Sequence, residues 1–544
     1  MKTKKKAFSN YLLLLSIILL GNFRNFSNLF LSWHDSNFHL VGDHAVTFAG
    51  VAKVMKGQLW FGIPSFNDYW YPGPFWFVLL IPFKAVGILF AAPDVAALIL
   101  LKIFINSIFL IYFYRFQETK NSSRTSTYVG LAFISVCLQL IGPMGSSLWD
   151  PFLIAAPIAL VLFSAWQLQR SPTVIRSGIV VCCLGVIGSM SLVAYFLYIL
   201  SLIVFCLVAA ISLYKSGFSW KSLRDRIFKK NPTLFILANM LIASPWVLDG
   251  IFYQFSHLKQ YVRYQKAVHL RAETSTSFME TFDLLKNMVT AHNSYLFMLI
   301  LFIAMSGIVL VSNMTWKSKI ALVAYFPFAL LTAAIFIKFA SSNFYSPDHP
   351  YYYLYFSLAL NCAILISWLF SNILRVNNLS NIKKLLIVLP VAMALLAGLF
   401  FNRQTFNFQS GSATLLDTGV IYSKAFSSAV SQNQIKNVTS LPISIDFQDF
   451  NPSENIDNIE LPWRFAVGWS EFLQTKGIKT CIVRSKNPIA SRGNYIMTMY
   501  TYSNYCDRNA SWEIQSSLQC NKDKQEVELI FHRGTRYALG PCKT

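Results

Sequence analysis

Run after run of apolar residues, each about 17–25 long and parted by short polar loops, limits this chain more than any other feature. A helix needs about 20 residues to cross a hydrocarbon layer about 30 Å thick. Of the 544 residues, 55% are hydrophobic and only 13% charged, more apolar surface than one aqueous core can absorb. The chain therefore reads as an α-helical polytopic membrane protein.

Charge sets the phase of the crossings. Lys2, Lys4, Lys5 and Lys6 precede the first run, 11–33, and hold the N-terminus in the cytoplasm. That run is flawed by Asn22, Arg24 and Asn25, so a cleaved signal peptide over 11–20 is a rival reading; no A-x-A-like site follows it. The segment 74–90 holds Pro82 and Lys84 and reads as a helix lying in the interface. Were it to cross, Arg115, Lys120 and Arg124 behind the run 95–114 would be exported. With it interfacial, the remaining spans are 127–141, 151–167, 178–191, 195–213, 233–248, 295–311, 320–340, 351–373 and 385–401, which makes about eleven in all. Arg170 and Arg176, the group from Lys215 to Lys230, Lys317 and Lys319, and Arg375 with Lys383 and Lys384 then share the cytoplasmic side. The opposite loops 142–150 and 341–349 carry no Lys or Arg, as positive-inside topology requires.

The expected division is a transmembrane domain over 1–401 and an extracytoplasmic α/β domain over 402–544. A first outer loop, 34–94, holds interfacial helices, and a second large one covers 249–293. The exported domain is large enough for its own core. It shows an amphipathic helix near 463–475, then strands near 477–483, 495–502 and 526–532. Cys481, Cys506, Cys520 and Cys542 all fall in it, an even set whose export implies two disulfides by any of three pairings. Cys137, Cys182, Cys183, Cys206 and Cys362 lie inside apolar runs, where thiols pack as small hydrophobes.

A formal charge of +22 has a membrane explanation, because the basic loops face anionic headgroups; no basic, aromatic-interleaved domain stands apart to take nucleic acid. No GxGxxG or Walker fingerprint is present. Outside and near the membrane, the first loop holds His34, Asp35, His39 and Gly42-Asp43-His44. Residues 45–56 follow at helical spacing and are closed by Gly57. Asp43 stands where a helix-capping acid belongs, which alone could account for it. Next come Asn67-Asp68-Tyr69-Trp70-Tyr71-Pro72-Gly73-Pro74, whose rings suit a belt at the interface. His39, Asp43 and His44 lack further residues at ligand spacing, so no divalent metal is implied and no cofactor is certain.

The order of these parts resembles the GT-C superfamily of membrane glycosyltransferases, which use polyprenyl-phosphate-linked sugars. The features that carry the resemblance are Gly42-Asp43-His44, the helix end Lys56-Gly57, the turn Tyr71-Pro72-Gly73-Pro74 and the pair Val86-Gly87. Further matches are Trp149-Asp150-Pro151, Ser244-Pro245-Trp246, and Val467-Gly468-Trp469-Ser470-Glu471-Phe472-Leu473 followed by Gly477-Ile478. The likeness is to a branch carrying His-Pro-Gly-Pro, in which Tyr71 replaces the His. Related enzymes have a second acid where His44 stands, and some have a phosphate-holding Lys just before the turn, where Tyr71 stands.

The resemblance implies inverting transfer of a sugar from a polyprenyl-phosphate donor to an extracytoplasmic glycan, lipid or protein acceptor. Asp43 is the expected general base, with Asp68 as second catalytic candidate and Asp35 and Asp150 in reserve. His44, Tyr71, Lys84, Arg263, Lys266, His269, Arg271 and His349 are the expected substrate contacts. Other readings are a transporter or flippase of lipid-linked glycans, a polysaccharide polymerase or ligase, and a catalytically silent glycan-binding protein. Transport favours internal repeats and polar groups at mid-membrane, and no clear repeat is present. The topology is open to a direct check. Cysteines introduced at Asp68, His269 and Thr544 should react with an impermeant reagent on intact cells, and those at Lys221 and Lys319 should not; labelling at position 221 contradicts the assignment.

Overall fold

The computed structural model describes residues 2–34, 50–52, 54, 55, 57, 75–90, 92, 94–120, 124–140, 247, 251, 279, 283, 286, 293–339, 348–375, 443–447, 480–483, 512–521, 526–531 and 535–541. Nine helices are assigned among them: α1 Lys2–Leu20, α2 Phe23–His34, α3 Phe75–Leu89, α4 Asp94–Lys120, α5 Arg124–Leu140, α6 Asn293–Val311, α7 Trp316–Val323, α8 Tyr325–Phe339 and α9 Asp348–Arg375. Five strands follow: β1 Ile443–Phe447, β2 Thr480–Val483, β3 Trp512–Asn521, β4 Glu526–Phe531 and β5 Thr535–Pro541. The chain divides into two compact units. One comprises Met1–Ser27, Lys102–Ser244 and Arg263–Phe408; the other comprises Asn28–Leu101, Pro245–Val262 and Gln409–Thr544.

In the first unit α9 is the axis, with α5, α6, α7 and α8 packed on it. Its segment Leu354–Ile373 is 89% buried, as befits a helix surrounded by other helices. Small residues let α5 come close: Ser367 Oγ donates to Ser126 O at 2.8 Å, and a Cβ on Gly130 would run into Ser367 Oγ and sit 2.8 Å from Ala363 O. Without a hydrophobic drive between helices in lipid, such close backbone approach supplies the attraction. The Ser126–Ser367 and Gly130–Ala363 contacts make α5 and α9 antiparallel. Tyr114 meets Tyr128 at 5.4 Å, and Gly21 stands against both Leu110 and Ser135, which sets α4 antiparallel to α5 in turn. α4 and α9 therefore run in the same direction, and Phe109 and Phe356 touch between them at 5.3 Å.

Among the described residues two helices, Asp94–Glu118 and Leu354–Ile373, are long and apolar enough to cross a membrane unaided. A third candidate is the pair Asn10–Leu20 and Phe23–Trp33, bent by 64°. The first apolar run is thus a broken helix, and the polar residues that marred it have a place. Asn22 Nδ2 donates to Ile18 O at 3.1 Å and to Ser107 Oγ at 3.2 Å, while Asn25 Nδ2 reaches Asn22 Oδ1 at 3.4 Å. Asn22 just before α2 and Asn25, Asn28 and Ser32 along it are buried on one side, whereas Phe23 and Phe30 are more than 60% exposed. Such an inside-out helix is stable only where its outer solvent is apolar.

The span expected over 320–340 is also broken, between α7 and α8. Pro327 has no N–H to return to Val323, and the ladder opens one residue earlier. Asn361 of α9 fills the opening: its Oδ1 accepts from Phe326 N at 3.0 Å and its Nδ2 donates to Leu322 O at 2.7 Å. One side-chain amide thereby stands in for a missing backbone pairing. The interfacial segment differs in the other direction: α3 runs unbroken through Pro82 and Lys84.

In the second unit the strands form one sheet in the order β2-β1-β3-β4-β5. β1 is parallel to β2 and to β3, and β4 and β5 are antiparallel additions. The expected strands near 477–483 and 526–532 correspond to β2 and β4. The segments 463–475 and 495–502 lie outside the described residues.

Replacing Asn361 by Leu leaves Phe326 N and Leu322 O unpaired in a fully buried place, at a cost of about 1–3 kcal/mol for each unsatisfied group. Denaturant unfolding of the purified protein in detergent should show the loss; an unchanged midpoint contradicts this role.

Candidate functional site

Asp43, His44, Asp68, Tyr71, Arg263, Lys266, His269 and Arg271 lie outside the described residues, as do Asp35 and Asp150. The structure does describe the frame that follows Asp43. Residues 50–52, 54 and 55 are helical, and Gly57 ends the helix with φ 69°, its N–H bonded to Val54 O at 2.9 Å. Glycine adopts this left-handed form without steric cost, which is why it closes helices. Val51 is fully buried, and a Cβ on Gly50 would come within 2.6 Å of the Phe77 ring of α3. The helical residues that Gly57 closes are therefore seated directly on α3.

α3 carries Lys84, whose Nζ stands 3.4 Å from Asp94 Oδ2 at the start of α4. Asp94 is well placed there, since a carboxylate in a first helical turn faces the positive end of the helix dipole. The pair is part-exposed and so contributes little energy, but it ties α3 to the start of α4. The expectation that Lys84 contacts substrate phosphate meets this carboxylate already in place. At the end of this helix and just beyond it, Ile88, Leu89 and Phe90 are 63–80% exposed, an apolar end suited to lipid.

His349 falls in the first turn of α9. The Phe109–Phe356 contact and the shared direction of α4 and α9 bring these opening turns level with Lys102 and Asn106, one to two turns above Phe109. Lys102 is 2% exposed and Asn106 1%. Ser107, bonded to Asn22, lies at the same height on α4. Below the level of Asn106 the interior turns aromatic, with Phe109, Phe113 and Phe356 in sequence.

Among the described residues no group of three His, Cys, Asp or Glu could hold a metal ion.

No family model and no curated relative matches the sequence. Comparison of folds does give a match. A crystal structure of ArnT from Cupriavidus metallidurans bound to undecaprenyl phosphate aligns over 96% of this chain and 97% of that one, with a TM-score of 0.52 and 14% identity. The chain has the ArnT fold. It is an integral membrane protein, its described apolar helices and its ArnT-like architecture agreeing on this.

In the sheet, Cys481 lies beside Ser444, and Ser444 beside Glu513. Cys520 is seven residues farther along β3 (520 − 513) and opposite Val527 of β4. Two strand spacings across and about 23 Å along, the two cysteines are far beyond the 4.4–6.8 Å between Cα atoms that a disulfide spans. Of the three pairings, only those joining Cys481 to Cys506 or Cys542 fit the register. If the four cysteines are bridged, peptide mapping of the unreduced protein should yield Cys481 linked to one of these two and Cys520 to the other. A Cys481–Cys520 peptide, or four alkylated thiols, contradicts the expectation.

Proposed function

We propose that this protein is an inverting glycosyltransferase of GT-C type that moves a sugar from a polyprenyl-phosphate donor to an extracytoplasmic glycan, lipid or protein acceptor. The observation that carries the reading is the end-to-end likeness to a protein whose crystal structure holds undecaprenyl phosphate. The first-loop motifs point independently to the same donor class. In this reading Asp43 takes the proton of the acceptor hydroxyl, the hydroxyl oxygen bonds to the anomeric carbon from the face opposite the phosphate, and the anomeric C–O bond breaks to release polyprenyl phosphate. Asp68 is the second acid of the same loop, and His44, Tyr71, Lys84, Arg263, Lys266, His269, Arg271 and His349 supply substrate contacts.

The frame around the first-loop helix supports this role for Asp43. A base works only at hydrogen-bond distance from the proton it takes, so the helix that carries it must be held firmly. Seven residues beyond Asp43, Gly50 packs against Phe77, and Gly57 closes the helical residues that follow. Transport is the weaker reading. Transporters expose broken-helix backbone to their cargo, whereas at the breaks described here the carbonyls of Ile18 and Leu322 already accept from asparagine amides.

Asp43→Asn keeps size and capping capacity but cannot accept the proton. It should lower transfer from a polyprenyl-phosphate sugar about 10²–10⁴-fold while the unfolding midpoint stays unchanged. Asp43→Ala should lose the same activity and about 1 kcal/mol of helix capping in addition. If Asp43→Asn transfers near normally and Asp43→Ala only unfolds earlier, Asp43 is a cap and not the base.

A further inference from the structure

We infer that the end of α4, together with the start of α5, is a binding site for an anionic phospholipid, with Arg115 and Arg124 on the phosphodiester head and the apolar side of α4 under an acyl chain. The placement begins with that side of α4. Phe104 and Ile111 are 45% and 41% exposed, and Ile108 between them is part-buried. At about 100° per residue these three and Arg115 fall within about 60° of one another, so the apolar stripe runs straight into a guanidinium. The Arg115 side chain is 65% exposed. From Phe104 to Arg115 the helix rises about 16 Å, close to half of the roughly 30 Å hydrocarbon layer. The stripe is one leaflet deep, and its cation stands where that leaflet keeps its phosphates.

A second cation comes from another element. Glu118 Oε2 accepts from Arg115 Nη1 at 3.2 Å, while its Oε1 accepts from the Tyr114 hydroxyl at 3.2 Å and lies 3.9 Å from Arg124 Nε of α5. One carboxylate thus gathers two guanidiniums, and a full positive charge is left over. Each guanidinium carries five N–H donors in a planar fork, more than a shared carboxylate can use, and both side chains are more than 60% exposed. A phosphodiester, singly negative with two unesterified oxygens, answers that surplus in charge and in geometry. The Tyr128 hydroxyl donates to Asn10 O at 3.2 Å, which brings α1 to the same end; Lys2, Lys4, Lys5 and Lys6 precede Asn10 in that helix and add to the positive field. Under the topology read from the loop charges this end lies on the cytoplasmic side, opposite the proposed donor, so the site does not depend on the proposed reaction.

The test is lipid binding to the purified full-length protein in detergent, read by native mass spectrometry with phosphatidylglycerol, phosphatidylcholine and glycerophosphoglycerol as separate probes. The wild type should hold phosphatidylglycerol in preference to phosphatidylcholine, and glycerophosphoglycerol, the same head without chains, should displace it poorly. Arg115→Gln and Arg124→Gln should each weaken phosphatidylglycerol binding roughly fivefold, the value of one basic residue at a membrane surface, and leave phosphatidylcholine unchanged. Either variant decides the matter if the other does not fold. Phe104→Ala should weaken both lipids alike, and no effect there overturns the place given to the chain. Lys317→Gln removes a cation assigned to the same side but outside the site, and it should change neither lipid. Equal binding of the two lipids by the wild type overturns the inference, as does a loss on Lys317→Gln as large as that on Arg115→Gln, which would mean a diffuse field and no site. Glycerophosphoglycerol bound as tightly as the lipid overturns the lipid source. Arg115-dependent binding of undecaprenyl phosphate stronger than that of phosphatidylglycerol overturns the phospholipid as occupant.

Discussion

A helix broken inside hydrocarbon has no water to satisfy its freed backbone groups, and the protein must supply a partner from its own side chains. At both breaks described here that partner is asparagine. Asn22 turns its amide back on Ile18 O where α1 gives way to α2, and Asn361 reaches from α9 into the gap between α7 and α8. The rest of the first unit depends on this. Because Asn361 sits on the central helix, closing the α7–α8 gap also docks both helices to α9. Because Asn22 also reaches Ser107, the first break is fixed to α4 at the height where the interior becomes polar.

That level of the first unit holds buried polar side chains. A lipid-linked donor presents a charged head on an apolar tail, so its enzyme must offer charge close to lipid without opening the bilayer to water. On α4 Lys102 and, one turn deeper, Asn106 are buried above the rings of Phe109 and Phe113. In the second unit the ordering is of another kind: Gly50 packs on Phe77, Gly57 closes the helical residues before it, and Lys84 of α3 pairs with Asp94 at the start of α4.

Where the fold depended on apolar length it was legible in the sequence. The runs 95–114 and 351–373 became α4 and α9, each extended by a few polar residues at its ends, and the glycine expected to close the first-loop helix has the positive φ that closure uses. Hydropathy counts apolar atoms and is blind to hydrogen-bond geometry, so the break at α7–α8 was not legible. Its local signal, Pro327, means little without Asn361, and Asn361 is remote in sequence. Lys102 went unnoticed for a related reason, since one lysine hardly alters the average of a long apolar run. β3 carried a signal that was there to be read: Trp512, Ile514, Leu518 and Cys520 alternate with polar residues at a strand's period. The parallel pairing of β1 with β3 joins segments far apart in the chain, and no local pattern encodes it.

The central claim is that the chain spends a polyprenyl-phosphate sugar and inverts its anomeric carbon. It is tested most directly by following the purified protein with donor and a candidate acceptor by phosphorus and proton magnetic resonance together. The account predicts one free polyprenyl phosphate for each sugar transferred, with the product's anomeric configuration opposite to the donor's. Release of polyprenyl phosphate with retained configuration, or sugar transfer that leaves the carrier's phosphate unchanged, would contradict it.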